Sequence, residues 1–197
     1  MEGFFGLSKN PSTMLRMVPL PGKCRGGIRR PLDPPAPAVL TAAAMTDIAS
    51  RLAELEIELP APAAPVASYV PTVLAGNLLH ISGQVSFEDG ALLTGRLGED
   101  RDLEFGQRAA RACGLMLLAQ IEKAVGLDRV ERIVKLGVFV NSAGTFTDQP
   151  KVANGASELM QDVFGEAGRH ARSAVGVPSL PLGAAVEIDA VVQIKAG

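Results

Sequence analysis

Val186-Glu-Ile-Asp-Ala-Val-Val-Gln-Ile194, near the end of the chain, alternates apolar and polar side chains. Successive side chains of a strand point to opposite faces of its sheet, so the pattern predicts a strand with one apolar and one polar side. The apolar side comprises Val186, Ile188, Ala190, Val192 and Ile194, and the polar side Glu187, Asp189, Gln193 and Lys195. This strand therefore belongs to a sheet with one face on a core and a different environment on the other.

The remaining elements follow from periodicity and turn signals. A helix starts at Thr46-Asp47, and a hairpin turns at Gly76-Asn77 before an apolar run from Leu78 to Val85. Apolar residues at three- and four-residue steps predict helices over Asp102–Val125 and Pro150–Phe164, each followed by glycine. Ile133–Val140 is predicted to be a buried strand.

This order of elements predicts an α+β fold with a mixed sheet and two main helices on one face. Two helices cover only one face of such a sheet, so we expect the other face to be buried by self-association. Grooves between subunits would then be natural ligand sites.

The composition changes near Met45. Residues 1–44 carry six basic and two acidic side chains and proline-rich runs such as Pro31–Pro37, which predict a disordered extension. Translation from Met45, with residues 1–44 an artefact of the gene model, is the alternative. A domain over residues 45–197 is expected in either case, and amino-terminal mass spectrometry distinguishes them.

Composition disfavours several classes of function. The net charge of −2, one Tyr and no Trp disfavour nucleic-acid binding. Two Cys and two His cannot form a common metal motif, so no structural metal is expected. No window is apolar enough to span a membrane, and the expected location is the cytoplasm.

Arg172 is the most informative polar residue, because it opens an otherwise apolar strand. Its planar fork matches a carboxylate through two parallel hydrogen bonds, which predicts an anion site. Most such ion pairs are structural, so from the residues alone an internal pair with Glu187 or Asp189 on a neighbouring strand is favoured over a ligand.

Other candidate site residues have equally plain alternatives. Glu187 could orient a water or move a proton, or be a solvated strand residue. Tyr69 could line a cleft or simply pack, and Ser82-Gly83 could face a ligand or mark a bulge. His80, Ser82 and His170 lack the motif of a serine hydrolase, and Cys113 is interpreted as a core residue.

Three ordered motifs resemble the Rid (YjgF) family. They are GNLLHISGQ at residues 76–84, VKLGVFV at 134–140, and the ending ARS at 171–173, LP at 180–181 and VEIDA at 186–190. The resemblance implies a chorismate-mutase-like fold, a homotrimer with a central barrel, and clefts between subunits. It also implies hydrolysis of enamines and imines such as 2-aminoacrylate and 2-iminopropanoate to 2-keto acids and ammonia, without a cofactor.

The resemblance also assigns roles to residues. Arg172 would bind the substrate carboxylate, and Glu187 would position the attacking water. The rest of the site would comprise Tyr69, Ser82, Gly83, Ala174 and Asn154. Ala174 stands where the family often has Cys, and the segment Thr147–Asn154 is longer than in well-known members. A non-catalytic carboxylate-binding module and an endoribonuclease remain the alternative functions.

Overall fold

A computed structural model of the protein describes residues 47–62 and 68–196. The predicted disordered extension over residues 1–44 lies outside this part of the chain. The helices are α1 (Ile48–Glu54), α2 (Leu103–Ala124), α3 (Gln149–Val152) and α4 (Asn154–Phe164). The strands are β1 (Thr72–Ala75), β2 (Leu78–Val85), β3 (Phe87–Glu88), β4 (Ala91–Leu92), β5 (Val130–Asn141), β6 (Ala171–Val177) and β7 (Val186–Ile194).

The five longer strands form a mixed sheet in the order β1-β2-β7-β5-β6. β5 and β6 run parallel, and the other neighbouring strands are antiparallel. Strands β3 and β4 form a small separate hairpin that turns at Asp89-Gly90. The α+β architecture with a mixed sheet is thus confirmed.

The long helix α2 covers the sheet. Asp102 caps it by accepting a 2.8 Å hydrogen bond from the Phe105 backbone N–H, which satisfies one of the unpaired donors at a helix start. Its buried face includes Leu117, Leu118 and Ile121, each fully buried. Burying each such side chain stabilises the fold by about 1.5–3 kcal/mol. This packing fixes the helix against β7 and β2.

The alternation of β7 is confirmed by burial. The five residues of the predicted apolar side are buried in the core that the helices share with the sheet, whereas Asp189 on the other side is exposed. The register places Asp189 beside Gly137 of β5, and Gly137 beside Ser173 of β6. We call the side of the sheet that points away from the helices the open face; its residues include Val73, Lys135, Val175, Glu187 and Asp189.

One predicted helix is interrupted. The sequence predicts a single helix over Pro150–Phe164, but α3 ends at Val152 and α4 begins at Asn154. Ala153 between them keeps a helical backbone, with φ −61° and ψ −19°. At this interruption the Pro150 carbonyl accepts a hydrogen bond from Arg172, so the break adjoins the predicted site.

Candidate functional site

Arg172 lies at the edge of the sheet, on β6. Its register partner on β5 is Leu136, which is completely buried beneath the helices. Residues paired across a sheet point to the same face, so the Arg172 side chain extends toward the helices. Ala174, two residues further, pairs with buried Val138 and points the same way.

Three neutral oxygen atoms hold the Arg172 guanidinium. Nη1 donates to Asn154 Oδ1 at 3.0 Å and to Ser157 Oγ at 2.8 Å. Nη2 donates to the Pro150 carbonyl at 3.0 Å. These bonds fix the position of the guanidinium, but none of the three acceptors carries a negative charge that would neutralise it.

The Arg172 guanidinium has hydrogen-bond donors left for a ligand. Of its five N–H donors, those on Nε and one on Nη2 have no acceptor among residues 47–62 and 68–196. No carboxylate in the same ranges forms an ion pair with Arg172. The internal pair with Glu187 or Asp189 is therefore wrong, because β5 lies between β6 and β7 in the sheet.

A surface cleft of ≈ 610 Å³ surrounds this guanidinium, and we call it the Arg172 cleft. Its lining residues are Asn154, Ser157, Glu158, Gln161, Arg169, His170 and Arg172. Arg169, the second cation, makes a loose 3.5 Å ion pair with Glu166 in which both side chains are exposed. A small anion entering this cleft meets hydrogen-bond donors and positive charge.

His170 belongs to the same cluster. Its Nδ1 lies 2.6 Å from the Gly168 carbonyl oxygen and its Nε2 lies 3.0 Å from Ser157 Oγ. Burial lowers the pKa of His170; the bond to Gly168 raises this pKa in part, and the positive charge of Arg172 lowers it further. Together these effects favour the neutral imidazole at pH 7.

A second cluster is built on a β-bulge in β2. The register with β7 shifts between Ile81 and Gln84, and both of these residues are buried. The two intervening residues, Ser82 and Gly83, consequently both lie on the open face. Ser82 Oγ donates to the Val70 carbonyl at 2.8 Å, which ties the bulge to the segment before β1.

Gln84 holds this bulge from beneath. Its Nε2 donates to the carbonyls of Ser82 at 2.8 Å and Gly83 at 3.2 Å. Its Oε1 in turn accepts from Gln120 Nε2 of α2 at 3.3 Å. A buried polar pair thus satisfies backbone oxygens that the bulge removes from the sheet ladder.

Glu187 lies directly over Gly83. A Cβ atom on residue 83 would overlap Glu187 Oε1, so only glycine leaves room for the carboxylate in this position. Asp189 lies over Gly137 in the same way. Burial first, and then the negative charge of Asp189, raise the pKa of Glu187, which suits a group that gains and loses a proton during a reaction.

The predicted site residues thus fall into two groups within one chain. Arg172, Ala174 and Asn154 lie together at the helix side of the sheet edge. Ser82, Gly83 and Glu187 lie together on the open face. Tyr69 precedes Val70, the acceptor of the Ser82 hydroxyl, and its side chain is 47% exposed. The two groups are on opposite faces of the sheet.

Sequence reasoning missed two contributors. Ser157 follows Asn154 by three residues, one helical turn, and that spacing was the available signal for their shared contact with Arg172. His170 stands two residues before Arg172, but in the sequence alone the only function it suggests is that of a serine hydrolase, whose motif is missing. No group of three or more His, Cys, Asp or Glu residues in the described ranges is arranged to hold a metal ion. No helix there is long and apolar enough to cross a membrane.

Comparison with known proteins identifies the family. The family model described as "YjgF/chorismate_mutase-like, putative endoribonuclease" matches residues 49–192. The chain belongs to the Rid/YjgF family. The Rid/YjgF assignment agrees with the three sequence motifs and with the chorismate-mutase-like α+β fold.

Individual Rid/YjgF relatives cover the same region. Protein TCP17 of Trypanosoma cruzi is 54% identical over 151 residues, which are 75% of this chain and 94% of that protein. The 2-iminobutanoate/2-iminopropanoate deaminase of Dermatophagoides farinae is 28% identical over 133 residues, or 66% of this chain and 89% of that protein. The crystal structure of "a putative endoribonuclease" from Shewanella oneidensis has a TM-score of 0.72 and 35% identity, and the match covers 75% of this chain and 99% of that chain.

Proposed function

We propose that this protein hydrolyses small 2-imino acids and their enamine forms to 2-keto acids and ammonia. The observation that carries the proposal is the Arg172 guanidinium, fixed by neutral oxygens beside an open cleft with no protein carboxylate bound to it. A relative named for deamination of 2-iminobutanoate and 2-iminopropanoate supports this choice of substrate class.

The main task of the protein in this reaction is to position the substrate and a water molecule. The substrate carboxylate binds Arg172, and a water oxygen attacks the imine carbon as the C=N π bond opens. An enamine first gains a proton at its methylene carbon and loses one from nitrogen, which gives the imine. After water attack, one water proton passes to the nitrogen and gives a carbinolamine. The carbinolamine hydroxyl then passes its proton to the nitrogen as the C–N bond breaks, so that ammonia leaves and the C=O double bond of the keto acid forms. Holding water against an already electrophilic carbon accounts for most of the rate enhancement, and no cofactor is needed.

Glu187 is the proposed proton carrier. Its pKa is raised by burial and by the charge of Asp189, which brings the carboxyl closer to neutral pH than an ordinary glutamate and favours proton exchange. The Glu187 of the same chain lies on the face opposite to Arg172. We therefore propose that a neighbouring subunit supplies Glu187, with Ser82, Gly83 and Tyr69, to each Arg172 cleft.

A homotrimer is the proposed assembly. The open face carries exposed apolar side chains, with Val73 at 52% and Val175 at 46% exposure. Apolar side chains exposed on a sheet face that no described helix covers favour burial against another subunit. Packing three open faces around an axis would bring the Glu187 cluster of one subunit toward the Arg172 edge of the next.

The proposal is tested with a coupled assay. A dehydratase releases 2-aminoacrylate and imines from several amino acids, and keto-acid formation is followed with and without the protein. Arg172→Ala should abolish the acceleration, and Arg172→Lys should abolish most of it because an ammonium lacks the planar fork. Arg108→Ala is the matched control, since Arg108 is exposed and pairs with Glu88 at 3.2 Å away from the cleft.

Different outcomes point to different functions. Acceleration by the wild type and the control, but not by the Arg172 variants, supports the proposal. Keto-acid binding without acceleration overturns it in favour of a carboxylate-binding module. Salt-sensitive RNA cleavage that Arg172→Ala removes would favour an endoribonuclease. Native mass spectrometry of the same samples tests the trimer.

A further inference from the structure

A directed chain of hydrogen bonds ends at the Arg172 guanidinium. The carbonyl oxygen of Gly168 can only accept, so His170 Nδ1, 2.6 Å away, carries the imidazole proton. In a neutral imidazole the other nitrogen is then an acceptor. Ser157 Oγ, 3.0 Å from Nε2, consequently donates its single proton to His170. The remaining lone pairs of Ser157 accept the 2.8 Å bond from Arg172 Nη1.

The surroundings favour the neutral imidazole on which this direction depends. His170 is partly buried, and the Arg172 charge opposes a second cation nearby. The other charged groups that line the cleft are Arg169, just before His170, and Glu158 of α4. A protonated His170 would donate from Nε2, and Ser157 would then be the target of two cationic donors.

We propose that His170 is a positioning residue that acts through Ser157 to fix the Arg172 guanidinium in the orientation that binds a carboxylate. This inference rests on the proposed function of Arg172 and adds the device that prepares it. Bidentate recognition requires the guanidinium plane to be aligned with the carboxylate. Ser157 supplies one of three bonds that fix this plane, and His170 decides which way the Ser157 hydroxyl points.

His170→Leu removes the acceptor for the Ser157 proton. The Ser157 hydroxyl is then free to rotate, so its lone pairs face Arg172 only part of the time. Ser157→Ala removes the acceptor for Arg172 Nη1 directly and leaves only Asn154 Oδ1 on that nitrogen. In both variants the guanidinium keeps its charge and loses its fixed plane, so carboxylate affinity should fall while some binding remains.

The test is calorimetric titration of the full chain with 2-oxobutanoate at pH 8, where His170 is neutral. Ser157→Ala and His170→Leu should each weaken binding by about three- to tenfold, the loss expected for one ordinary hydrogen bond, because the guanidinium keeps its charge and its other donors. The double variant should bind no more weakly than Ser157→Ala alone, because His170 acts only through Ser157. His170→Gln, whose Oε1 can accept the Ser157 proton, should recover part of the loss.

Controls separate this inference from the function on which it rests. Ser86→Ala removes a buried serine hydroxyl bonded to the Leu93 carbonyl at 3.0 Å, outside the cleft, and should bind like the wild type. If Arg172→Ala binds like the wild type, the proposed function itself fails. If Arg172→Ala loses binding while His170→Leu does not, or if the effects of the two single variants multiply in the double variant, only the positioning role is overturned.

Discussion

Gly83→Ala is the substitution that tests most sharply whether Glu187 works where the structure places it. A methyl group at residue 83 would overlap Glu187 Oε1 and approach Cδ to 2.9 Å and Cγ to 3.0 Å. All three atoms belong to the Glu187 side chain and none to the backbone. The carboxylate therefore has to leave its position over the β2 bulge.

The stability change should be small and the activity change large. Glu187 is about half-buried and can swing toward solvent, so relief requires a rotamer change of about 0.5–1.5 kcal/mol. Displacing a group that transfers protons in the reaction lowers the rate much more, since such a group contributes about 10²–10⁴-fold. We expect kcat to fall on the order of 10²-fold.

Gly137→Ala is the matched control. A methyl group there would overlap Asp189 Oδ1, a similar clash one strand pair away, against a carboxylate outside the proposed site. Urea denaturation should show comparable losses of stability for the two variants, whereas deaminase activity should fall much further for Gly83→Ala, because Asp189 bears on the reaction only through the pKa of Glu187. In a Glu187→Ala background, Gly83→Ala should have no further effect on stability, because its clashing partner is gone.

The proposed role of Glu187 is refuted if Gly83→Ala retains wild-type activity. Its clash with residue 83 is refuted if the substitution destabilises the protein equally with and without the Glu187 side chain. In the first case Glu187 has no role in proton transfer. In the second, the glycine is required by the bulge itself.

Two further predictions concern the same cluster. Gln84→Leu leaves the carbonyls of Ser82 and Gly83 without their buried donor. The free energy of unfolding in urea should therefore drop by about 1–3 kcal/mol. An unchanged value would show that the Gln84 amide does not support the bulge. Because the pKa of Glu187 is raised in the folded state, folding favours its protonated form, and stability is lost as pH rises from the unfolded pKa through the folded one. Glu187→Gln should therefore be more stable than the wild type at pH 8 and no more stable near pH 3.5; equal stability at both pH values would contradict the raised pKa.

Local patterns predict most of the individual elements. The alternation of β7 survives in the structure because every second residue from Val186 to Ile194 is apolar and reaches the core, whereas the residues between them do not. The start of α2 at Asp102 follows from a side-chain cap that needs only residues nearby in sequence. Such features depend on short-range geometry, and the sequence contains all of it.

Strand order is what the sequence could not supply. An ion pair between Arg172 and Glu187 looked reasonable for adjacent strands, yet β5 lies between their strands and the two side chains leave opposite faces. Pairing between distant strands depends on the packing of the whole core. No local pattern in the sequence indicates that β5 lies between β6 and β7.

The candidate site shows the same division. Arg172 is recognisable because a cation in an apolar strand needs a partner. Ser157 and His170 become informative only once α4 and the start of β6 are brought together in space. The bulge that turns both Ser82 and Gly83 to the open face cannot be predicted from the sequence either. It is recognised by the register shift and by the burial of Gln84, a polar side chain that the sequence gives no reason to place in the core.

A crystal structure of the full chain with bound 2-oxobutanoate tests the central claim most directly. We predict the ligand carboxylate within about 3 Å of the Arg172 guanidinium, accepting hydrogen bonds from Nε and Nη2, with Glu187 of a neighbouring subunit facing the keto carbon. A ligand bound elsewhere, or an Arg172 cleft that no neighbouring Glu187 approaches, would contradict the account.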